Sequence, residues 1–182
     1  MEGLRRDAAR NRDRILVAAK DLLRRGDELA MNAVARDADV GVATVYRHFA
    51  TVEELEEVVV WDRFDQLDRL LSEAATDGLD RTLTEHVALL VADPLFERVT
   101  ARSDAVLPQT AAKRAALLGR LAEVLEDARS RGRVRVDVDA ASILLLACGT
   151  AHSIRSAGLA PDSDAAQILL DVLLRGLRPS RP

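Results

Sequence analysis

Apolar side chains recur in this chain at every third or fourth position, and that spacing commits it to packed helices. In "RDRILVAAKDLLRR", residues 12–25, Ile15, Ala19, Leu22 and Leu23 fall on one helical face, and Gly26 ends the run. Met31, Val34, Ala35 and Ala38 make a second, short stripe, which "DVG" at 39–41 interrupts. A third short helix is expected from about Val42 to Phe49, with Val45 and Phe49 inward. Thr51 opens a fourth as its N-cap, with Glu53 and Glu54 in the first turn where the helix dipole favours negative charge. Its apolar face, Leu55, Val58, Val59, Phe64, Leu67, Leu70 and Leu71, predicts one long helix over 52–75, broken by Gly78. Further helices are expected at about 80–92, 95–103, 109–131, 139–157 and 163–177, punctuated by Asp93-Pro94, Pro108, Gly132 and "GLAPDSD". "RVRVDVDA" alternates like a strand, but it has helices on both sides and no partner. It is read as a loop entering a helix capped by Asp137 or Asp139. The expectation is an all-α chain of about nine helices.

Composition agrees. Of 182 residues, 48% are apolar and only 3% aromatic, with Ala, Leu and Val plentiful, which favours helices over a β-sandwich. Cys148 is the sole cysteine, so no intramolecular disulfide forms and a reducing cytoplasm is expected. "MEGLRRDAARNRDR" has no apolar core of a signal peptide, and "ILLLAC" at 143–148 is far too short to span a bilayer. The net charge of −4 hides an asymmetry. Residues 1–50 hold ten Arg/Lys against eight Asp/Glu, and the rest hold sixteen against twenty-two. Arg5, Arg6, Arg10, Arg12 and Arg14 crowd the basic end.

Three short helices, the second and third joined by a tight turn, match a helix-turn-helix, whose last helix enters a DNA major groove about 12 Å wide. The same spacing also fits a helical hairpin inside any all-helical protein. The composition of the third helix separates the two. In "ADVGVATVYRHF", Ala43 is small enough for close backbone approach, Thr44 and Tyr46 offer hydroxyls to phosphates, and Arg47 and His48 reach phosphates or base edges. A helix packed only against protein has no need of this set.

"AVARDADVGVATVYRHF" followed by "ATVEEL" resembles the N-terminal DNA-binding domain of the TetR family of bacterial transcriptional regulators. The family pattern is roughly I-A-x-x-A-G-V-S-x-x-T-[LV]-Y-x-[HY]-F, matched here at Val34, Ala35, Ala38, Val40, Thr44, Val45, Tyr46, His48 and Phe49. The resemblance covers about residues 10–55 and is specific; beyond 60 it extends only to helical character and two apolar C-terminal helices. It implies that Thr44, Tyr46 and His48 contact phosphates or bases, that Val42, Ala43 and Arg47 sit where bases are read, and that Asn32 reaches the groove edge. Three departures stand out. Ala30 replaces a Thr or Ser N-cap, at a cost of about 1 kcal/mol. Asp39 replaces the turn glycine and tolerates a left-handed conformation less well. Val52 replaces a lysine that often touches the DNA backbone. Arg10, Arg12 and Arg14 are expected to supply phosphate contacts in compensation.

The division expected is 1–50 for helix-turn-helix DNA binding and 51–182 for ligand binding and dimerisation. Reading two half-sites about 34–36 Å apart requires a two-fold dimer. Leu144, Leu145, Cys148 and His152 on one helix, with Ile168, Leu169, Val172, Leu173 and Gly176 on the last, offer more apolar surface than one side of a surface helix needs. A four-helix bundle between subunits would bury them, and completion of the monomer core is the other option. The resemblance further implies a cavity beside the fourth helix, where a small-molecule effector would weaken operator binding. Trp61, Phe64, His86, Phe96, Val106, Leu107, Cys148 and His152 are its expected lining, each equally compatible with plain core. Cys148 and His152 lie four apart, a spacing metals use, but two donors are not a site, so no metal and no cofactor are expected. No glycine-rich phosphate loop, G-x-S-x-G or H-E-x-x-H occurs, and no enzyme is expected. The full expectation is a homodimeric DNA-binding regulator, most simply a repressor of a palindromic operator, cytoplasmic and without a membrane partner. The alternative is a helical ligand-binding or protein-interaction bundle that does not bind DNA.

Overall fold

The computed structural model describes residues 2–73 and 78–179, with the side chains of 2–5 left aside. All regular structure among them is helical: α1 (Glu2–Arg24), α2 (Met31–Asp37), α3 (Val42–His48), α4 (Val52–Val59), α5 (Trp61–Glu73), α6 (Leu79–Ala92), α7 (Pro94–Ala101), α8 (Pro108–Ser130), α9 (Ala140–Ser156) and α10 (Asp164–Gly176). The all-α class is as expected, but the helices number ten, because the single helix anticipated over 52–75 is two. α4 ends at Val59, because the backbone of Val60 (φ −96°, ψ 5°) leaves helical geometry, and α5 starts at Trp61. Both halves carry helical periodicity, so the interruption has no compositional mark; Val60 is neither glycine nor proline.

The chain forms two compact units, Met1–Trp61 and Asp62–Pro182. The first runs past the anticipated boundary at residue 50 because α4 packs on α1. Its core joins Ile15, Ala19 and Leu22 of α1 to Val34 and Ala35 of α2, Val45 of α3, Phe49 and Leu55, all essentially solvent-free. Gly26 (φ +78°) closes α1 with Gly26 N–H donating to the Leu23 carbonyl (3.0 Å) and Asp27 N–H to the Leu22 carbonyl (3.0 Å). Thr51 caps α4, accepting from Glu54 N–H at 3.3 Å, and Glu54 in turn accepts from Ala50 N–H at 2.7 Å.

In the second unit α9 is central and packs on α6, α7, α8 and α10. Its inward residues Ile143, Ala147, Ala151 and Ile154 are buried. Asp93 caps α7, accepting from Phe96 N–H at 3.0 Å, and its other carboxylate oxygen takes Arg63 at 2.9 Å. "RVRVDVDA" is a loop, as expected. Its alternation reflects one valine turned in (Val134) and the next turned out (Val136), with Arg135 N–H donating to the Leu177 carbonyl at 2.9 Å. Asp139, not Asp137, caps α9 through Ser142 N–H at 2.7 Å. Asp137 instead pairs with Arg135, which holds its carboxyl below the ordinary carboxylate range.

Candidate nucleic-acid interface and an interior cavity

The turn between α2 and α3 is the point on which the first site depends. Asp39 is the one non-glycine residue at positive φ (+50°) among those described. Asp39 N–H donates to the Arg36 carbonyl and Val40 N–H to the Ala35 carbonyl, at 3.1 and 3.0 Å, the hydrogen-bond pattern that glycine usually completes after a helix. An L-residue there costs about 1 kcal/mol. Arg14 of α1 offsets part of that cost. Its guanidinium donates to the Asp39 carbonyl at 3.1 Å and to the Asp39 carboxylate at 2.9 Å. Arg25 ties the far ends of α1 and α2 in the same way, bridging Asp27 (3.0 Å) and Asp37 (2.5 Å). The hydrogen bond from Arg25 holds the Asp37 carboxyl below its usual range.

With the turn so held, α3 buries Val45 and, just past its end, Phe49, and turns its other residues outward. Val42, Ala43, Tyr46 (52% exposed) and Arg47 are exposed, and Thr44 and His48 half-exposed. Asn32 of α2 is exposed as well. Arg47 folds back on its own helix: it donates to Thr44 Oγ1 at 2.7 Å and, one helical turn back, to the Ala43 carbonyl at 3.3 Å. Arg12 of α1 lies over the Phe49 ring, 5.5 Å from its centre, an attraction between cation and ring quadrupole that fixes the arginine beside the end of α3. Arg10 is exposed, with no ion pair among the described residues. The three arginines grouped by sequence therefore separate: Arg10 is open, Arg12 is positioned, and Arg14 is engaged by the turn. The Arg5 side chain lies outside the described residues. The Ala30 N-cap of α2 makes no side-chain hydrogen bond, as its methyl requires.

The second site is an apolar cavity within the C-terminal unit. Phe64, Leu67 and Leu71 of α5, Leu83 and His86 of α6, and Leu117 and Leu121 of α8 supply most of its wall. Its free volume is about 20 Å³, room for about one water. Thr82, Thr100, Leu118, Arg114 and Leu144 complete it. Phe96 backs Phe64 edge-on, with ring centres 5.1 Å apart, rather than facing the space. His86 Nε2 is buried with no hydrogen-bond partner, an omission worth about 1–3 kcal/mol. Burial pushes its pKa down to about 4, so the ring is neutral near pH 7.

The other anticipated lining residues lie elsewhere. Trp61 is half-buried where α5 begins, and Val106 and Leu107 precede α8; none of the three lines the cavity. Cys148 is buried outside it, its thiol pushed up to about 11 chiefly by burial and then by Glu97, with Arg114 opposing. His152 is 62% exposed, its Nδ1 3.7 Å from Glu97, whose carboxylate also holds Arg155. Cys148 is buried and His152 exposed, although the two lie four apart on α9. Among the described residues no cluster of three His, Cys, Asp or Glu is placed to hold a metal, and no helix is long and apolar enough to cross a membrane. The α8 wall was missed by sequence reasoning, although Arg114, Leu117, Leu118 and Leu121 form a helical stripe. Leu144 and Leu173, expected either at a subunit interface or in the monomer core, belong to the interior of this unit: Leu144 is half-buried and faces the cavity, and Leu173 is core. The apolar residues left outside are Leu145 and Leu146 on α9 and Ile168 (62% exposed), Leu169 and Val172 (65%) on α10.

Residues 79–179 match the family described as transcriptional regulator SbtR-like, C-terminal domain. A TetR transcription regulatory protein from Mycobacterium vanbaalenii is 32% identical over 97% of this chain and 99% of its own, with a TM-score of 0.52. RolR, solved with resorcinol, is 19% identical over 96% and 91% (TM-score 0.66). FadR from Bacillus subtilis, solved with stearoyl-CoA, is 16% identical over 91% and 98% (TM-score 0.61). At these lower identities the likeness is one of fold. No curated protein gives a significant match.

Proposed function

The chain belongs to the TetR family of transcriptional regulators, and from that premise we propose that it is a repressor that binds a palindromic operator as a homodimer and lets go when a small molecule occupies its C-terminal unit. The observation that carries this reading is the composition of the exposed side of α3. Ala43, Thr44, Tyr46, Arg47 and His48 face outward on a helix held by only Val45 and Phe49. Val42, Ala43 and Arg47 read bases, while Thr44, Tyr46 and His48 hold phosphates, with Asn32 at the groove edge. Arg10 and Arg12 take further phosphates, and Arg14 acts on the turn that aims α3.

The exposed Leu145, Ile168, Leu169 and Val172 are the subunit interface, packing α9 and α10 against their symmetry mates. Two proteins of the same fold are complexes with small molecules, resorcinol and stearoyl-CoA, which supports the interior cavity as the effector site. Phe64 and His86 are its expected contacts. Release needs a ligand that prefers the conformer unable to bind DNA, and a preference of about 100-fold corresponds to roughly 2.7 kcal/mol of coupling. The test is selection of fragments bound by the full chain from genomic DNA, followed by gel shifts on the enriched sequence at rising salt. A palindrome bound with a steep salt dependence is expected. No enrichment, or enrichment without two-fold symmetry, removes the reading.

A further inference from the structure

Resting on the reading of the C-terminal unit as effector-binding, the chemistry of its cavity narrows what the effector is. The walls are leucine and phenylalanine, and among the described residues the only side-chain nitrogen or oxygen of that lining that is fully buried without a partner is His86 Nε2. Of the two hydroxyls in the lining, Thr82 and Thr100, the second already donates to the Phe96 carbonyl at 2.5 Å. Arg114 also contributes to the wall, but it is only half-buried, so its guanidinium keeps access to water. A charged ligand group would have to leave water for a mostly apolar space whose one fully buried open partner is an uncharged ring. An uncharged polar group would satisfy that ring and lose little. Leu118 and Leu144 are half-buried whereas Leu83, Leu117 and Leu121 are packed, so any widening of the space would come at the first two.

We propose that the cavity opens to take a small uncharged molecule, an apolar body with a single hydroxyl or carbonyl group, and that this group pairs with His86 Nε2. An alcohol both donates and accepts, so it meets either tautomer of the ring.

Two matched sets of probes test this by calorimetry on the full-length protein: toluene, benzyl alcohol and benzoate, and 1-methylnaphthalene, 1-naphthalenemethanol and 1-naphthoate. In at least one set the alcohol should bind about tenfold more tightly than its hydrocarbon, the value of one buried hydrogen bond. The acid should be the weakest. His86→Leu should erase the preference for the alcohol while keeping the hydrocarbon, and His86→Gln, which retains hydrogen-bonding atoms, should preserve part of it. Loss of folding in the leucine variant would leave the glutamine variant and the wild-type ranking to decide. The inference is overturned if the acid binds best, if alcohol and hydrocarbon bind alike, if His86→Gln changes nothing, or if neither set binds. Operator binding by the same preparation separates the two failures. A protein that selects a palindrome yet ignores every probe refutes this ligand class alone, whereas one that selects none refutes the regulator reading.

Discussion

α3 and α10 each break the usual pattern of a surface helix, in opposite directions. α3 is short, keeps only Val45 as its buried residue, and presents hydroxyl, imidazole, guanidinium and phenol groups. α10 buries Ala166, Leu170 and Leu173, yet still leaves Ile168, Leu169 and Val172 in water. One face has too much hydrogen-bonding capacity for a helix that only completes a core, and the other too much hydrocarbon. A polyanion suits the first and a second apolar face the second. The two faces belong to different compact units, so each can be altered without repacking the other. That independence makes the contrast testable.

The largest effect is expected at α10. Val172→Asp would place a carboxylate in an apolar interface without a partner, costing about 3–5 kcal/mol. Sedimentation should then show monomers, and operator affinity should fall at least about a hundredfold, because the two α3 helices are no longer linked. A dimer that survives Val172→Asp breaks the assignment of this face. Next is the interior. His86 is neutral in the folded chain down to about pH 4, while the unfolded chain takes up a proton near 6.5. The folded pKa is the lower one, so the contribution of His86 is fully present above about 6.5. It is lost as pH falls from there towards 4, by roughly 3 kcal/mol in all. Urea unfolding at pH 7 and pH 4.5 should show a larger loss for wild type than for His86→Gln; equal losses mean that His86 is not a buried neutral ring.

The third effect belongs to α3. Arg47→Ala should weaken operator binding by about 1–3 kcal/mol and Tyr46→Ala by no more than that, with both proteins still dimeric by sedimentation. Wild-type affinity in both would show that α3 does not read the operator. Smallest is the turn. Asp39→Ala keeps the positive φ and the Arg14 bond to the backbone carbonyl but loses the carboxylate contact, and should lower stability in urea by about 1 kcal/mol. Asp39→Gly loses the same carboxylate contact while relieving the backbone, and should stay nearer to wild type. If glycine is the worse of the two, backbone strain is not what Asp39 contributes there.

The α3 side was the more legible in sequence, because its residues act through local geometry. Thr44, Tyr46, Arg47 and His48 fall within one and a half turns of a helix whose ends are marked by Gly41 and Phe49, so spacing alone places them together. The anticipated positive φ of Asp39 and the uncapped Ala30 were readable for the same reason. The cavity was less legible. Phe64 and His86 reach it from α5 and α6, but its third wall comes from α8, more than twenty residues further along, and no local pattern distinguishes Leu117 facing a cavity from Leu125 facing solid core. Leu144 and Leu145 are adjacent in sequence and equally apolar. One degree of freedom, the rotation of α9 about its axis, sends the first inward and the second outward.

By itself the sequence determined the helical class, most helix ends, the composition of α3 and the family, since each rests on contacts between residues a few positions apart. Only tertiary structure decided that Val60 divides a continuous apolar pattern into two helices, that Arg14 serves the turn while Arg10 stays open, and that Cys148 is buried while His152 meets water. These outcomes depend on which helix packs against which. A side chain's partner across the core is set by the rotation of whole helices, and a periodic pattern is compatible with several rotations until packing selects one.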